Sequence, residues 1–422
     1  MSSRRAAQWA WGLTSWANHG FLTTVVVGLF PIFFDKYWAA GVPGTTSTFY
    51  LGLTNSSASF AIMLLAPSLG ALADRRGHKK LWFGIFTFLG VLATVLLALA
   101  GKNQWVFALL MYGLGSLGFW GGYSFQDALI THVAEPRESN RISAFGFALG
   151  YLGGGVLFLV NVLLVLHPAW FALRGATAAM RVAFLDVAVW WLLFSLPLFR
   201  FVPEAGATAE RTGLRELAAT LRAVLRDRPV LHFLLAYWLY IDGINTLQFM
   251  AVDFGTKLGF STSALIQALL LVQFVAFPCA LLFGRLGDRI GAKRAIYLGL
   301  AVFVGVTVYG YFMRTELQFY VLAMIVGTVQ GGVQALSRSY FVRLIPRERS
   351  GEYFGFYNML GKFAAVLGPL AMGIVALATG SQRLSILVLI VFFLAGAWLL
   401  ARVRDDRVLR GHPTIAAVDA SP

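Results

Sequence analysis

Asp242 and Lys362 stand inside long apolar runs, VLHFLLAYWLYIDGINTLQFMAV at 230–252 and YFGFYNMLGKFAAVLGPLAMG at 353–373. A charge in such a setting is costly unless it is paired, so each residue implies a partner or a task. Each lies about 10–13 residues into its run, or about 15–20 Å at the helical rise, so the two could meet at mid-depth. A carboxylate held ionised by a neighbouring cation changes protonation with whatever else occupies the space, which is the chemistry of ion coupling. The same pair could instead tie two helices together. Asn245 and Gln248 follow Asp242 by three and six residues and give that helix a polar face. Gln330 and Gln334 share a face of another, Asn18 with His19 interrupt a further apolar run, and Tyr357 with Asn358 precede Lys362 in its own run. Each of these is either a contact for a polar solute or a bond between helices.

Residues of this kind need elements that cross a bilayer. The chain has 422 residues, of which 58% are hydrophobic and only 13% charged, too few charges to solvate a soluble surface of that size. Runs of about 20 apolar residues fall at about 9–34, 48–72, 80–101, 104–128, 141–167, 179–201, 229–253, 261–284, 293–313, 317–341, 352–378 and 382–402. The fold expected is an all-α polytopic membrane protein with twelve transmembrane helices. Between the sixth and seventh spans, Leu214, Leu217, Leu221 and Leu225 recur at helical spacing among arginines. That link reads as an amphipathic helix on the membrane surface or as a solvated linker. Of the 34 Lys and Arg, 26 fall on one side of this topology and seven on the other, with Lys362 inside a span. By the positive-inside rule both termini and the link are cytoplasmic. The net charge of +15 then faces anionic lipid, and no nucleic-acid partner is expected.

Two cytoplasmic turns repeat. GALADRRGHKK at 70–80 matches GRLGDRIGAKR at 284–294, pairing Gly70 with Gly284, Asp74 with Asp288, Arg75 with Arg289 and Gly77 with Gly291. PRESNRISAFGF at 136–147 matches PRERSGEYFGF at 346–356 at nearly the same offset. Two elements repeating in register imply a six-plus-six duplication: a first bundle over 1–201, a link over 202–228, a second bundle over 229–403 and a tail over 404–422. Asp127 and Arg338 differ by 211 and so occupy equivalent ends of the fourth and tenth spans. The expected gate pairs Asp127 with Arg75 and Arg338 with Asp288, latching the inner ends.

Other chemistries lack their residues. Cys279 is the single cysteine, so no internal disulfide or cysteine metal site exists. Gly113, Gly115 and Gly118 spell a dinucleotide-type pattern, but within a span with no strand before it. GFYNMLGKF at 355–363 has five residues between its glycines and Phe363 where a P-loop requires Ser or Thr. No cofactor, no metal and no enzyme activity are expected.

The Gly-x-x-x-Asp-Arg-x-Gly-x-Lys/Arg turn, present twice, resembles the signature loop of the major facilitator superfamily. More narrowly, WANHGF at 16–21, FPIFF at 30–34, NRISAFGFALGYLGGG at 140–155, YIDG at 240–243, GGVQALSRS at 331–339 and FGFYNMLGKFAAVLGP at 354–369 resemble the fungal autophagy-related vacuolar amino-acid effluxers and their bacterial relatives. Where that branch often carries acidic residues, this chain has Thr14 and Ser15 in the first span and Ile130, Thr131 and His132 in the fourth. The resemblance implies the major facilitator fold, two pseudo-symmetric six-helix bundles, acting as a monomer. It implies secondary active transport by alternating access, exporting small polar solutes such as amino acids, with protons as the coupling ion. A drug or lipid-like effluxer and a non-transporting sensor are the alternatives.

Overall fold

The computed structural model describes residues 3–42, 44–204, 222–363 and 367–403, and these contain helices but no strand. In lipid, a backbone without water can satisfy its N–H and C=O groups only internally, and helices do so within one segment. The first span, α1, runs as Ser3–Phe21 and continues through π-helical Leu22–Leu29, α-helical Phe30–Phe33 and π-helical Phe34–Trp38. Its hydrogen-bond register changes on either side of Pro31, which has no N–H to donate. The first half continues with α2 (Gly44–Arg76), α3 (Lys79–Leu99), α4 (Trp105–Val133), α5 (Ser139–Leu166) and α6 (Ala176–Phe201). The second half holds α7 (Arg228–Lys257), α8 (Thr262–Ile290), α9 (Ala292–Phe312) and α10 (Glu316–Leu344). It ends with α11 (Ser350–Phe363 and Leu367–Thr379) and α12 (Gln382–Leu387 and Leu389–Ala401).

Ten of these helices are long and apolar enough to cross a membrane. The two remaining expected spans, at 9–34 and 352–378, are helical but segmented, α1 by its π stretches and α11 around residues 364–366, which lie outside the described residues. The amphipathic link lies largely outside them too, apart from a helical turn at 222–226, as does the tail from 404.

Small residues let the helices approach. A Cβ on Gly118 of α4 would sit 2.5 Å from the backbone nitrogen of Gly90 on α3, so those two backbones touch. Within the first half α1 packs on α5 and α6; within the second, α8 packs on α10 and α7 on α12. The halves meet where α5 crosses α8 and α10, and where α2 lies on α11. Phe88, Leu99, Val189, Leu317 and Val391 point outward and are more than 60% exposed, an apolar exterior suited to lipid tails.

Candidate functional site

A cavity of about 480 Å³ lies between the halves, walled by α1, α4 and α5 on one side and by α7, α8, α10 and α11 on the other. Along α10 the wall runs from Phe319, three residues from one helix end, to Arg338, six residues from the other. That is about 28 Å at 1.5 Å per residue, most of a membrane's thickness. The Arg338 level lies toward the end of the molecule that carries the repeated turns, and Leu265 and Phe319 mark the opposite reach.

Polar groups bridge the cavity at mid-depth. Gln330 Nε2 donates to the Tyr151 hydroxyl at 2.9 Å, which in turn donates to Gln334 Oε1 at 3.5 Å. The remaining oxygen of Gln330 is buried and has no partner among the described residues. Gln273 donates to Thr23 Oγ1 at 2.6 Å, joining α8 to the first π stretch of α1. His19 Nδ1 lies 3.0 Å from the Ser15 carbonyl; since a carbonyl only accepts, Nδ1 carries the hydrogen, and the neutral ring presents Nε2 as an acceptor. Tyr357 stacks on Tyr237 with ring centroids 4.0 Å apart. Asn245, Gln248 and Asn358 also line the wall.

The floor of the cavity is an ion pair between the halves. Arg338 Nη1 of α10 reaches Asp127 Oδ1 of α4 at 2.8 Å, and both side chains are only 2% exposed. Arg338 also donates from Nε to the Ser143 hydroxyl and from Nη2 to the Ser143 carbonyl, both at 2.9 Å. Its guanidinium lies 4.8 Å from the Trp11 ring centre and 4.5 Å from that of Phe147, a cation–π arrangement. Asn358 of α11 donates to the other Asp127 oxygen at 3.4 Å. The expected gate pairings with Arg75 and Asp288 are therefore corrected: the two equivalent residues meet each other. Residues at matching positions of two pseudo-symmetric halves can touch only close to the axis relating those halves, so the pair sits there.

Below the floor the repeated turns close the end. Asp74 forms an ion pair with Lys79 at 2.7 Å and accepts from the backbone N–H groups of Gly351 and Glu352 at 3.0 and 2.8 Å. Lys79 donates to Ser350 at 3.0 Å, and Thr131 donates to the same hydroxyl at 3.2 Å. In the second turn Asp288 accepts from Asn140 at 3.0 Å. Gly77 and Gly291 hold φ of 64° and 89°, the left-handed region that a side chain would strain. Gly70 faces α11 and Gly284 faces α5, each too close to its neighbour for a Cβ. Arg289 is exposed and Arg75 half-buried.

Two sequence candidates lie away from the cavity wall. Asn18 is locked in a buried network, donating to Gln126 and accepting from Trp191, both at 2.6 Å; Gln126 donates to Ser15. Asp242, fully buried, accepts from the backbone N–H of Gly368 at 3.0 Å and from Thr246 at 3.4 Å. It thereby caps the second segment of α11. The side chain of Lys362 lies outside the described residues, and so does its pairing with Asp242. Sequence reasoning passed over Thr23, Tyr123, Tyr151 and Gln273, which line the cavity. It also passed over Asp186, an intramembrane carboxylate of α6 beside Asn161. A polar side chain within an apolar run was the available signal in each case.

Two helical halves enclosing a central cavity give the major facilitator fold, and solved structures of that fold superpose on it. The human organic anion transporter MFSD10 (TETRAN) matches with a TM-score of 0.78 at 16% identity, covering 95% of this chain and all of that one. The proton:xylose symporter XylE matches with a TM-score of 0.71 at 15% identity, covering 96% and 95%. The chain belongs to the family described as vacuole effluxer Atg22 like, whose model matches residues 40–411. An uncharacterized MFS-type transporter of Bacillus subtilis, YxiO, is 37% identical over 94% of both chains. Autophagy-related protein 22 of Yarrowia lipolytica is 28% identical over 65% of this chain and 52% of its own length. YxiO and the two solved neighbours are transporters and not enzymes, and this chain is a multi-pass membrane transporter.

Proposed function

We propose that the protein is a secondary active transporter that exports small polar solutes, amino acids first among them, by alternating access between its two halves. On this reading it works as a monomer in a bacterial cell membrane with both termini cytoplasmic, and protons couple its cycle. The observation that carries the reading is the central cavity: long, bordered by both halves, and shut at one end by bonds that cross between them. Gln330, Gln334, Asn245, Gln248 and the Tyr151 hydroxyl offer donors and acceptors to a polar solute, and the aromatic rings enclose its carbon skeleton. With the basic loops in the cytosol, the shut end is the inner one and the arrangement is open toward the outside. Its counterpart would part the turns and close over Leu265 and Phe319.

The test is a screen of radiolabelled amino acids and other small polar solutes in proteoliposomes under an imposed pH gradient. At least one amino acid should accumulate in the direction set by the gradient. Asn245→Trp, which fills the cavity, should reduce that flux at least about tenfold while the protein still inserts, the equivalent of about 1.4 kcal/mol of lost binding. Undiminished flux in that variant would refute the cavity as the solute path.

A further inference from the structure

We infer that Asp127 takes up the coupling proton, and that Arg338 is the counter-ion whose place the proton takes. This deepens the proposed function and rests on its alternating-access reading. Among the described residues that line the cavity, Asp127 is the one carboxylate and Arg338 the one permanent cation. The pair joins the halves at the floor of the cavity, through which solvent protons would arrive, whereas Asp242 is spent on the α11 cap.

The surroundings favour a proton over a metal cation. Asp127 faces the guanidinium of Arg338 and the amide nitrogen of Asn358, both donors, and a hard cation needs several oxygens in their place. The other groups near it are Tyr123 one turn back on α4, Tyr237 of α7 and Tyr357 of α11, all within its electrostatic reach. From α5 come the Ser143 hydroxyl and carbonyl that hold Arg338, and from α1 the His19 ring, which feels the same guanidinium.

The direction of the effect follows from the pair. Deprotonated Asp127 neutralises Arg338 and keeps the turn-bearing end shut. A proton arriving through the cavity binds a carboxylate oxygen, Arg338 keeps its own protons, and the buried guanidinium loses its counter-charge. An uncompensated buried cation favours any arrangement in which it is rehydrated, so the shut end opens. The proton then leaves Asp127 on that side, and no other covalent bond changes.

The test needs no solute. Nitroxide labels on Arg137→Cys and Glu348→Cys, exposed positions on loops of opposite halves, report the separation of the turn-bearing end by pulsed electron resonance, in a Cys279→Ser background. Between about pH 5 and pH 9, the ratio of long to short distances should rise as pH falls, by up to about tenfold per unit for one proton. Asp127→Asn should show the long-distance population at every pH, while Asp127→Glu should restore a pH response. Asp74→Asn should change the ratio yet keep its dependence on pH. The proposal is overturned if the parent shows one distribution at all pH values, if Asp127→Asn still responds like the parent, or if Asp74→Asn abolishes the response. A failed solute screen with an intact pH response would count against the proposed substrate and leave this assignment standing.

Discussion

The two repeated turns share a motif but not a set of bonds. The 70–80 turn is a buried clasp, in which Asp74 and Lys79 are only 5% exposed and bind each other and the start of α11. The 284–294 turn is looser. Asp288 is exposed and accepts from the Asn140 side chain, while Lys293 donates to the Val403 carbonyl of its own half. The cause lies in what each turn faces. The N-terminus of α11 begins Ser350-Gly351, small enough for backbone to reach backbone: a Cβ on Gly70 would run into the Gly351 carbonyl. The matching start of α5 reads Asn140-Arg141; there Gly284 meets the Ala144 Cβ, and the Asn140 side chain bonds Asp288 where the first turn is bonded by backbone N–H groups. One motif thus serves as a strong clasp or a weak one according to the residues opposite.

Breaking the clasps should separate them widely. Asp74→Asn leaves Lys79 buried without its carboxylate and should cost about 3–5 kcal/mol, read by chemical unfolding in detergent. Asp288→Asn should cost about 0.5–1 kcal/mol, the scale of one hydrogen bond. Equal losses would mean that the asymmetry has no energetic content.

A smaller effect sharpens the steric half of the comparison. Gly70→Ala and Gly284→Ala each force a methyl group into occupied space and should cost about 1–3 kcal/mol. The methyl at 284 meets the Ala144 Cβ, so Ala144→Gly should restore most of the loss. The methyl at 70 meets backbone, and no deletion of a side chain on α11 should rescue it. Smallest of all is the coupling between Asn140 and Asp288, about 0.5 kcal/mol in a double-mutant cycle. A value near zero would show that the second turn is a plain connector.

Much of this frame was legible in the residues. Spans, the duplicated turns and the polar faces of α10 and α11 follow from apolar length, matched offsets and helical spacing, and Gln330, Gln334, Tyr357 and Asn358 do line the cavity. Partner choice was not legible. The 211-residue offset placed Asp127 and Arg338 at equivalent depths, yet each was matched to a nearby turn because contact across an axis has no local signature. Asp242 could be seen as buried, but that its partner is a backbone N–H at the break of α11 depends on where that helix is interrupted. Asn18 faces Gln126 and Trp191 because α1, α4 and α6 pack at an angle that spacing along one helix does not record.

The position of the Asp127–Arg338 bridge also bears on ancestry. Had the chain descended from two identical copies assembled around the same axis, each copy would have carried one residue there, facing its own twin. Two carboxylates or two guanidiniums at that distance repel, and a carboxylic acid pair would have to share a proton. Opposite charges at matching positions become possible only once the two copies are encoded separately and can change separately. The bridge is therefore younger than the duplication, and an assembly of identical halves could not form it.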